Sequence, residues 1–354
     1  MTLAESEPPS RAWQEIILPG EETFIREFAR DIGLFQKEDA EGKKLLRGFH
    51  AKIQAGVIGE FEVLSGLPDY ARQGVFREPR TFPAVVRFSN GESKIYPDTK
   101  HEPRGIAIKL IGVSGRKALP DQQGAATQDF LGTSHSVTST VRNIMQFAAF
   151  VRAHRPGASM LGDLRRALGW WETLRILWSL FFTVGLAKVR SMATEHYSGT
   201  APIKFGPYAV KFTIRPAERT APPADRPRTD SFLHEELADR LRKSDLVFDF
   251  LVQFYVDDER TPIEDTSVHW QPKHSPLVKV ARLRIPGCDL DSDAAREQTE
   301  AVDALSFSPW HALEDHRPLG SVMRARKFAY EASSALRNHD PEPTGLPLKR
   351  HLPQ

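Results

Sequence analysis

Residues 248–256 set the tightest limit on the fold. Phe248, Phe250, Val252, Phe254 and Val256 alternate with Asp249, Gln253 and Tyr255. A period of two puts the first set on one face of a strand and the second on the other. Weaker versions of the pattern recur along the chain. Val57, Gly59, Phe61 and Val63 share one side of a strand, as do Ile106, Ile108 and Leu110, and Val210, Phe212 and Ile214. Residues 277–285 form a further candidate. Strands with one buried face suit antiparallel pairing. So many, spread over more than half the chain, predict a large sheet or a barrel.

Helical spacing interrupts the strands. Helices are expected near residues 21–32, over 141–153 (Ile144, Phe147, Ala148, Val151), over 231–242 (Leu233, Leu237, Leu241) and over 321–337. The class is therefore α+β. The domain reading is an N-terminal arm over 1–45, one barrel domain over 46–340 and a Pro-containing tail over 341–354 that frays or forms an arm. The apolar run from Ile176 to Ala187 is too short to span a bilayer. It reads as a buried helix. The alternative is a peripheral membrane contact through residues 168–187, with Trp170, Trp171 and Trp178 at the interface.

Composition excludes several functions. The 354 residues carry a net charge of only +2, which gives no ground for nucleic-acid binding. The one cysteine, Cys288, allows neither an intrachain disulfide nor a Cys-cluster metal site. The start lacks the basic-then-apolar order of a signal peptide, so the expected location is the cytoplasm, with membrane association the alternative. Oligomeric state is left open, a homo-oligomer included.

Polar residues in apolar surroundings carry the chemistry. Arg326 and Tyr330 lie four apart on the last predicted helix, and Arg337 returns to their face two turns later. Arg87 sits within the apolar segment Val85-Val86-Arg87-Phe88 with no acid nearby in sequence. A buried guanidinium needs a partner, which can be a bound carboxylate or a distant Asp or Glu. Each feature alone fits an ordinary surface or core residue.

Together they resemble the haem-catalase family. Catalases carry Arg-x-x-His-Ala-Lys, matched by Arg47 to Lys52, and Val-Arg-Phe-Ser, matched by Val86 to Ser89. Pro-Arg-Gly-x-Ala-x-Lys is matched by Pro103 to Lys109, and Arg-x-Phe-x-Tyr by Arg326 to Tyr330, with Arg337 seven residues on. The resemblance covers about residues 45–340 and implies a catalase-type antiparallel β-barrel with helices packed outside. It also implies haem b (iron protoporphyrin IX), with Tyr330 as the axial phenolate ligand and Arg326 supporting its charge. By the same resemblance His50 is the distal acid–base, Ser89 fixes its tautomer, and Arg47, Arg87 and Arg337 meet the haem propionates.

The match fails at one segment. Where catalases carry a distal Asn, this chain reads Leu131-Gly132-Thr133-Ser134, so the catalytic position falls on Thr133 or Ser134. A hydroxyl is shorter than a carboxamide and differs in geometry. Phe49 stands before His50 where catalases have a small β-branched residue. These departures weigh against rapid hydrogen peroxide disproportionation. They favour an oxidoreductase that reduces or isomerises organic or lipid hydroperoxides. The alternatives are an authentic catalase and a non-enzymatic haem or lipid carrier.

Overall fold

The computed structural model describes residues 8–40, 46–134, 139–153, 157–182, 188–218, 229–337 and 342–343. Nine strands of the described residues form one sheet: β1 (Ile53–Val63), β2 (Thr81–Asn90), β3 (Arg104–Ile111), β4 (Thr127–Ser134), β5 (Tyr197–Ser198), β6 (Ile203–Phe205), β7 (Tyr208–Pro216), β8 (Leu246–Phe254) and β9 (Val278–Ile285). All pairings are antiparallel, in the order β5-β4-β3-β2-β1-β9-β8-β7-β6. Strand β5 also pairs with β7 through Tyr197↔Ile214 and Ser198↔Thr213. That pairing closes a ring of eight strands and leaves β6 outside it, on β7. Closure removes the exposed edges an open sheet would present.

An eight-stranded barrel is just wide enough for side chains to fill, and here aromatic rings fill it. Phe61, Phe76, Phe130, Phe212 and Phe250 meet with centroids 4.9–6.2 Å apart. The alternation in β8 predicted this face: Phe248, Phe250, Val252 and Phe254 all point into the core. A ligand site therefore has to lie outside the barrel.

Among the described residues six α-helices flank it: α1 (Glu21–Ala40), α2 (Ile144–Ala153), α3 (Met160–Leu180), α4 (Phe232–Leu241), α5 (Asp293–Ala304) and α6 (Ser321–Arg337). Helices α1, α2 and α6 share a satellite core of Ile25, Phe28, Ile32, Ile144, Ala148, Val151, Ala325 and Ala329. Within the N-terminal arm, the helix expected near 21–32 runs for 20 residues, Glu21–Ala40, and packs in this core. Helix α3 breaks at Gly169, whose φ of 78° is easy only for glycine. The apolar run from Ile176 to Ala187, expected as a buried helix, begins in the last turn of α3, where Ile176 is buried but Trp178, Phe181 and Phe182 are exposed. Residues 183–187 of the apolar run lie outside the described residues.

Sequence periodicity gave no sign of β4 or α5. Strand β4 is covered on both faces along most of its length, so its apolar and polar residues do not alternate. Helix α5 buries Val302 alone, and a helix with so narrow an apolar stripe has little pattern to detect. Its start is marked instead by Ser292, whose side chain accepts a hydrogen bond from the Ala295 amide.

Candidate functional site

Strand register lays out the floor of the site. Residues that alternate with the core-facing set on β2, β3 and β4 point outward, and pairing aligns them in rows. Ser89, Gly105 and Thr133 form one row, and Arg87, Ala107 and Leu131 the next. The middle of the floor is Gly105 and Ala107, the two smallest side chains available, so the surface dips there. Helix α6 lies over the dip. Between them is a cavity of about 260 Å³ lined by Arg47, His50, Arg87, Ser89, Gly105, Thr133, Arg326 and Tyr330, with apolar walls from Ile32, Phe49, Phe147 and Val322. Seven of the eight predicted site residues meet in this one space. The eighth, Arg337, ends α6, and its side chain lies outside the described residues.

His50 is held in an unusual backbone conformation, with φ at +59°. Its amide donates to Gly91 O at 3.0 Å, which fixes the turn. Positive φ at a non-glycine residue is uncommon and costs energy unless the surroundings enforce it. Here it drives the imidazole down onto the floor. A Cβ at position 105 would lie 2.5 Å from His50 Nδ1 and 3.0 Å from Ser89 Oγ, so only glycine permits the approach. Ser89 Oγ sits 3.2 Å from His50 Nδ1, which leaves Nε2 as the nitrogen without that partner. Burial, then the positive charges of Arg87, Arg326 and Arg47, drive the imidazole pKa down to about 3. The ring is neutral at physiological pH.

Tyr330 projects from α6 beside Arg326, one turn earlier. Arg326 Nη2 donates to the Tyr330 hydroxyl at 2.9 Å, and the guanidinium carbon lies 5.3 Å from the ring centroid. The i, i+4 spacing delivers this pair with no help from distant residues.

Arg87 has the distant acid that its local sequence lacked. Asp303, 216 residues away near the end of α5, accepts from Arg87 Nε at 3.1 Å and Nη2 at 2.9 Å. Arg47 Nη2 donates to the carbonyls of Asp303 and Leu305 at 2.6 and 2.7 Å. Its Nε makes no hydrogen bond among the described residues and stands 3.5 Å from the Asp303 carboxylate. Burial lowers the Arg47 pKa, and Asp303 opposes that shift. Two guanidiniums thus converge on one carboxylate whose side chain is 38% exposed. Sequence reading missed Asp303, because neither motif nor periodicity marks an acid at the end of a helix that itself escaped notice.

The structure also chooses between the two hydroxyl candidates on β4. Thr133 lines the cavity, whereas Ser134 faces away and its Oγ accepts from the Arg104 amide at 2.9 Å.

This donor set fits the haem implied by the sequence resemblance. A phenol oxygen already beside a guanidinium suits a ferric ion. Arg47 and Arg87, two guanidiniums on the lining that share a single carboxylate, suit a further acid group, and a floor of glycine and alanine between apolar walls suits a flat ring.

Known proteins point the same way. No family model matches the chain. A catalase-related peroxidase from Mycolicibacterium paratuberculosis is 29% identical over 268 residues, which are 73% of this chain and 78% of that protein. Among solved structures, a fungal catalase superposes with a TM-score of 0.65 at 17% identity, covering 96% of this chain and 66% of its own. A bacterial catalase gives 0.65 at 17% identity, covering 98% and 67%. Catalase A from Saccharomyces cerevisiae gives 0.64 at 15%, covering 95% and 68%. The chain thus spans about two thirds of the length of these catalases. The closed barrel and these structures agree in fold, and in sequence the chain is similar to a catalase-related peroxidase: it has the catalase fold.

Proposed function

We propose that this chain is a haem-dependent oxidoreductase acting on peroxides, and that organic or lipid hydroperoxides are preferred over hydrogen peroxide. Tyr330 would hold the iron of haem b, Arg326 would support the phenolate, and Arg47, Arg87 and Arg337 would receive the propionates. The observation that carries this reading is a single cavity with two matched polar ends: a Tyr330–Arg326 pair on α6 and a neutral His50–Ser89 pair on the barrel floor.

Haem iron, when bound, supplies the electrons that break the O–O bond. The chain's own residues manage the proton. Neutral His50 takes it from the oxygen that bears it and hands it to the departing oxygen, which leaves as an alcohol or as water. Three nearby arginines and burial make the imidazolium costly, so His50 passes the proton on rather than keeping it. Ser89 at Nδ1 holds the ring so that Nε2 does this work. The Thr133 hydroxyl, one row position from Gly105, is a further hydrogen-bond partner for the peroxide.

Two features favour the larger substrates. The cavity wall next to His50 is apolar, and Phe49 stands 47% exposed there. The position catalases give to Asn holds a threonine instead.

The test uses haem-loaded protein and a phenolic electron donor with hydrogen peroxide and with a fatty-acid hydroperoxide. It follows oxygen evolution, loss of hydroperoxide and donor oxidation, with loss of the diene absorbance marking isomerisation rather than reduction. The lipid substrate should turn over with little oxygen release. Vigorous oxygen evolution would instead mark a catalase, and inertness towards both a carrier. His50→Ala should keep its haem yet slow peroxide cleavage by roughly 100- to 10,000-fold.

A further inference from the structure

The second half of α3, from Trp170 to Leu180, presents two very different faces. Thr173 and Ile176 are fully buried against the protein. On the other side Trp170, Trp171, Leu174 and Trp178 are all at least half exposed, and Phe181 and Phe182, just past the helix end, continue the set. At about 100° per residue these six side chains fall within roughly one third of the helix circumference. Trp171 is 87% exposed and Trp178 68%. A globular surface rarely shows so many large apolar groups together without a partner for them.

The charges around this face say which partner. Residues 160–190 carry five basic residues, Arg165, Arg166, Arg175, Lys188 and Arg190, and two acids, Asp163 and Glu172. Both acids are engaged: Asp163 with Arg166, and Glu172 with Arg142 and Arg175. Arg165 stacks on the Trp170 ring, 5.1 Å from its centroid. Lys188 and Arg190 are exposed. Indole rings bordered by cations match the headgroup region of a bilayer, where one part of each ring is dry and the other wet. Anionic lipid adds attraction to the basic rim.

We infer that this face of α3 docks the protein on an anionic lipid bilayer. The helix lies in the plane of the interface, and among the described residues no helix is long and apolar enough to cross. Docking would also bring lipid near the cavity. Gln146 on α2 bonds Glu172 and Arg175 of α3, and its neighbour Phe147 lines the cavity wall. The docking surface stands apart from the peroxide chemistry, and its test reads binding alone.

That test is co-sedimentation of the full chain with vesicles of phosphatidylcholine alone or enriched in phosphatidylglycerol, with tryptophan emission read in parallel. Binding should appear with the anionic vesicles, weaken with salt, and shift the emission to the blue. Combining Trp171→Ser, Trp178→Ser and Phe181→Ser should weaken it roughly tenfold or more. These side chains are exposed, so the circular dichroism should not change. Combining Arg166→Gln, Lys188→Gln and Arg190→Gln should reduce binding to anionic vesicles selectively. The inference is overturned if neither vesicle binds, or if both bind alike. It is equally overturned if sedimentation shows a dimer that the aromatic substitutions dissolve, because the face would then belong to a second copy.

Discussion

At the scale of single residues, the site depends on how closely His50 can approach the barrel floor. Gly105→Ala would put a methyl group 2.5 Å from His50 Nδ1, so the ring must shift and lose Ser89. The expected outcome is a peroxide-cleavage rate that falls severalfold to a hundredfold while haem content stays unchanged. An unchanged rate would mean that the ring position has no part in the reaction. The depressed pKa of His50 makes a second prediction. In the proposed reaction the neutral ring, which persists down to about pH 3, takes the proton, so the rate should be flat from pH 8 to about 5 with no inflection near the ordinary histidine value of about 6.5. An inflection there in a pH–rate profile would contradict the burial argument. Much of this was legible in the sequence. The i, i+4 spacing of Arg326 and Tyr330 fixed their contact, and ordered motifs picked out His50, Ser89 and Arg87. The outward direction of Thr133 was not legible, because Thr133 and Ser134 are equally polar and only the register of β4 against β3 tells them apart.

At the scale of elements, α5 supplies what sequence reading lacked. Asp303 at its end pairs with both Arg87 and Arg47, 216 and 256 residues away, which no local pattern encodes. Asp303→Asn leaves two buried guanidiniums short of negative charge. Since the carboxylate is partly exposed, the cost to the haem-free protein should be about 1–2 kcal/mol rather than the larger penalty for breaking a fully buried pair. Bound propionates would supply the missing charge, so thermal melts should show a smaller loss in the haem-loaded protein. Equal losses in both forms would argue against propionates at Arg47 and Arg87. The barrel strands were legible where one face meets the core and the other does not, as in β8. Strands β5 and β6 are too short to show a period, and the polar α5 carries almost no apolar stripe.

At the scale of the whole molecule, an eight-stranded barrel packed solid with phenylalanine forces the chemistry onto its outer surface, under helices drawn from both ends of the chain. Buried titrating groups tie that assembly to pH. His50 and His316 are both held neutral by burial, each with its pKa lowered to about 3. The unfolded chain takes up their protons below about pH 6.5 and the folded chain does not, so stability falls with pH across the window from 6.5 to 3. At pH 5 each should cost about 2 kcal/mol relative to neutral pH. Glu342, held low by His311 and Lys109 against the opposing effect of burial, adds loss in the same direction as pH drops below its ordinary range. Glu195, pushed up to about 7 by burial, and His311, raised against burial by Asp129 and Glu342, act in the opposite direction as pH falls. The histidine contribution is therefore read by difference. Between pH 7 and pH 5 the denaturant midpoint of His316→Asn should fall less, or rise more, than that of the parent, and equal changes would contradict it. Central to the proposed function is a tyrosine oxygen from α6 that would hold the iron of a haem against the barrel wall. The most direct measurement is the visible absorption spectrum of the purified protein after haemin addition, compared with Tyr330→Phe. The intact chain should give a tightly bound, high-spin ferric spectrum, and the variant should lose most of the haem or change its bands sharply. Identical spectra and haem content in the two proteins would contradict it.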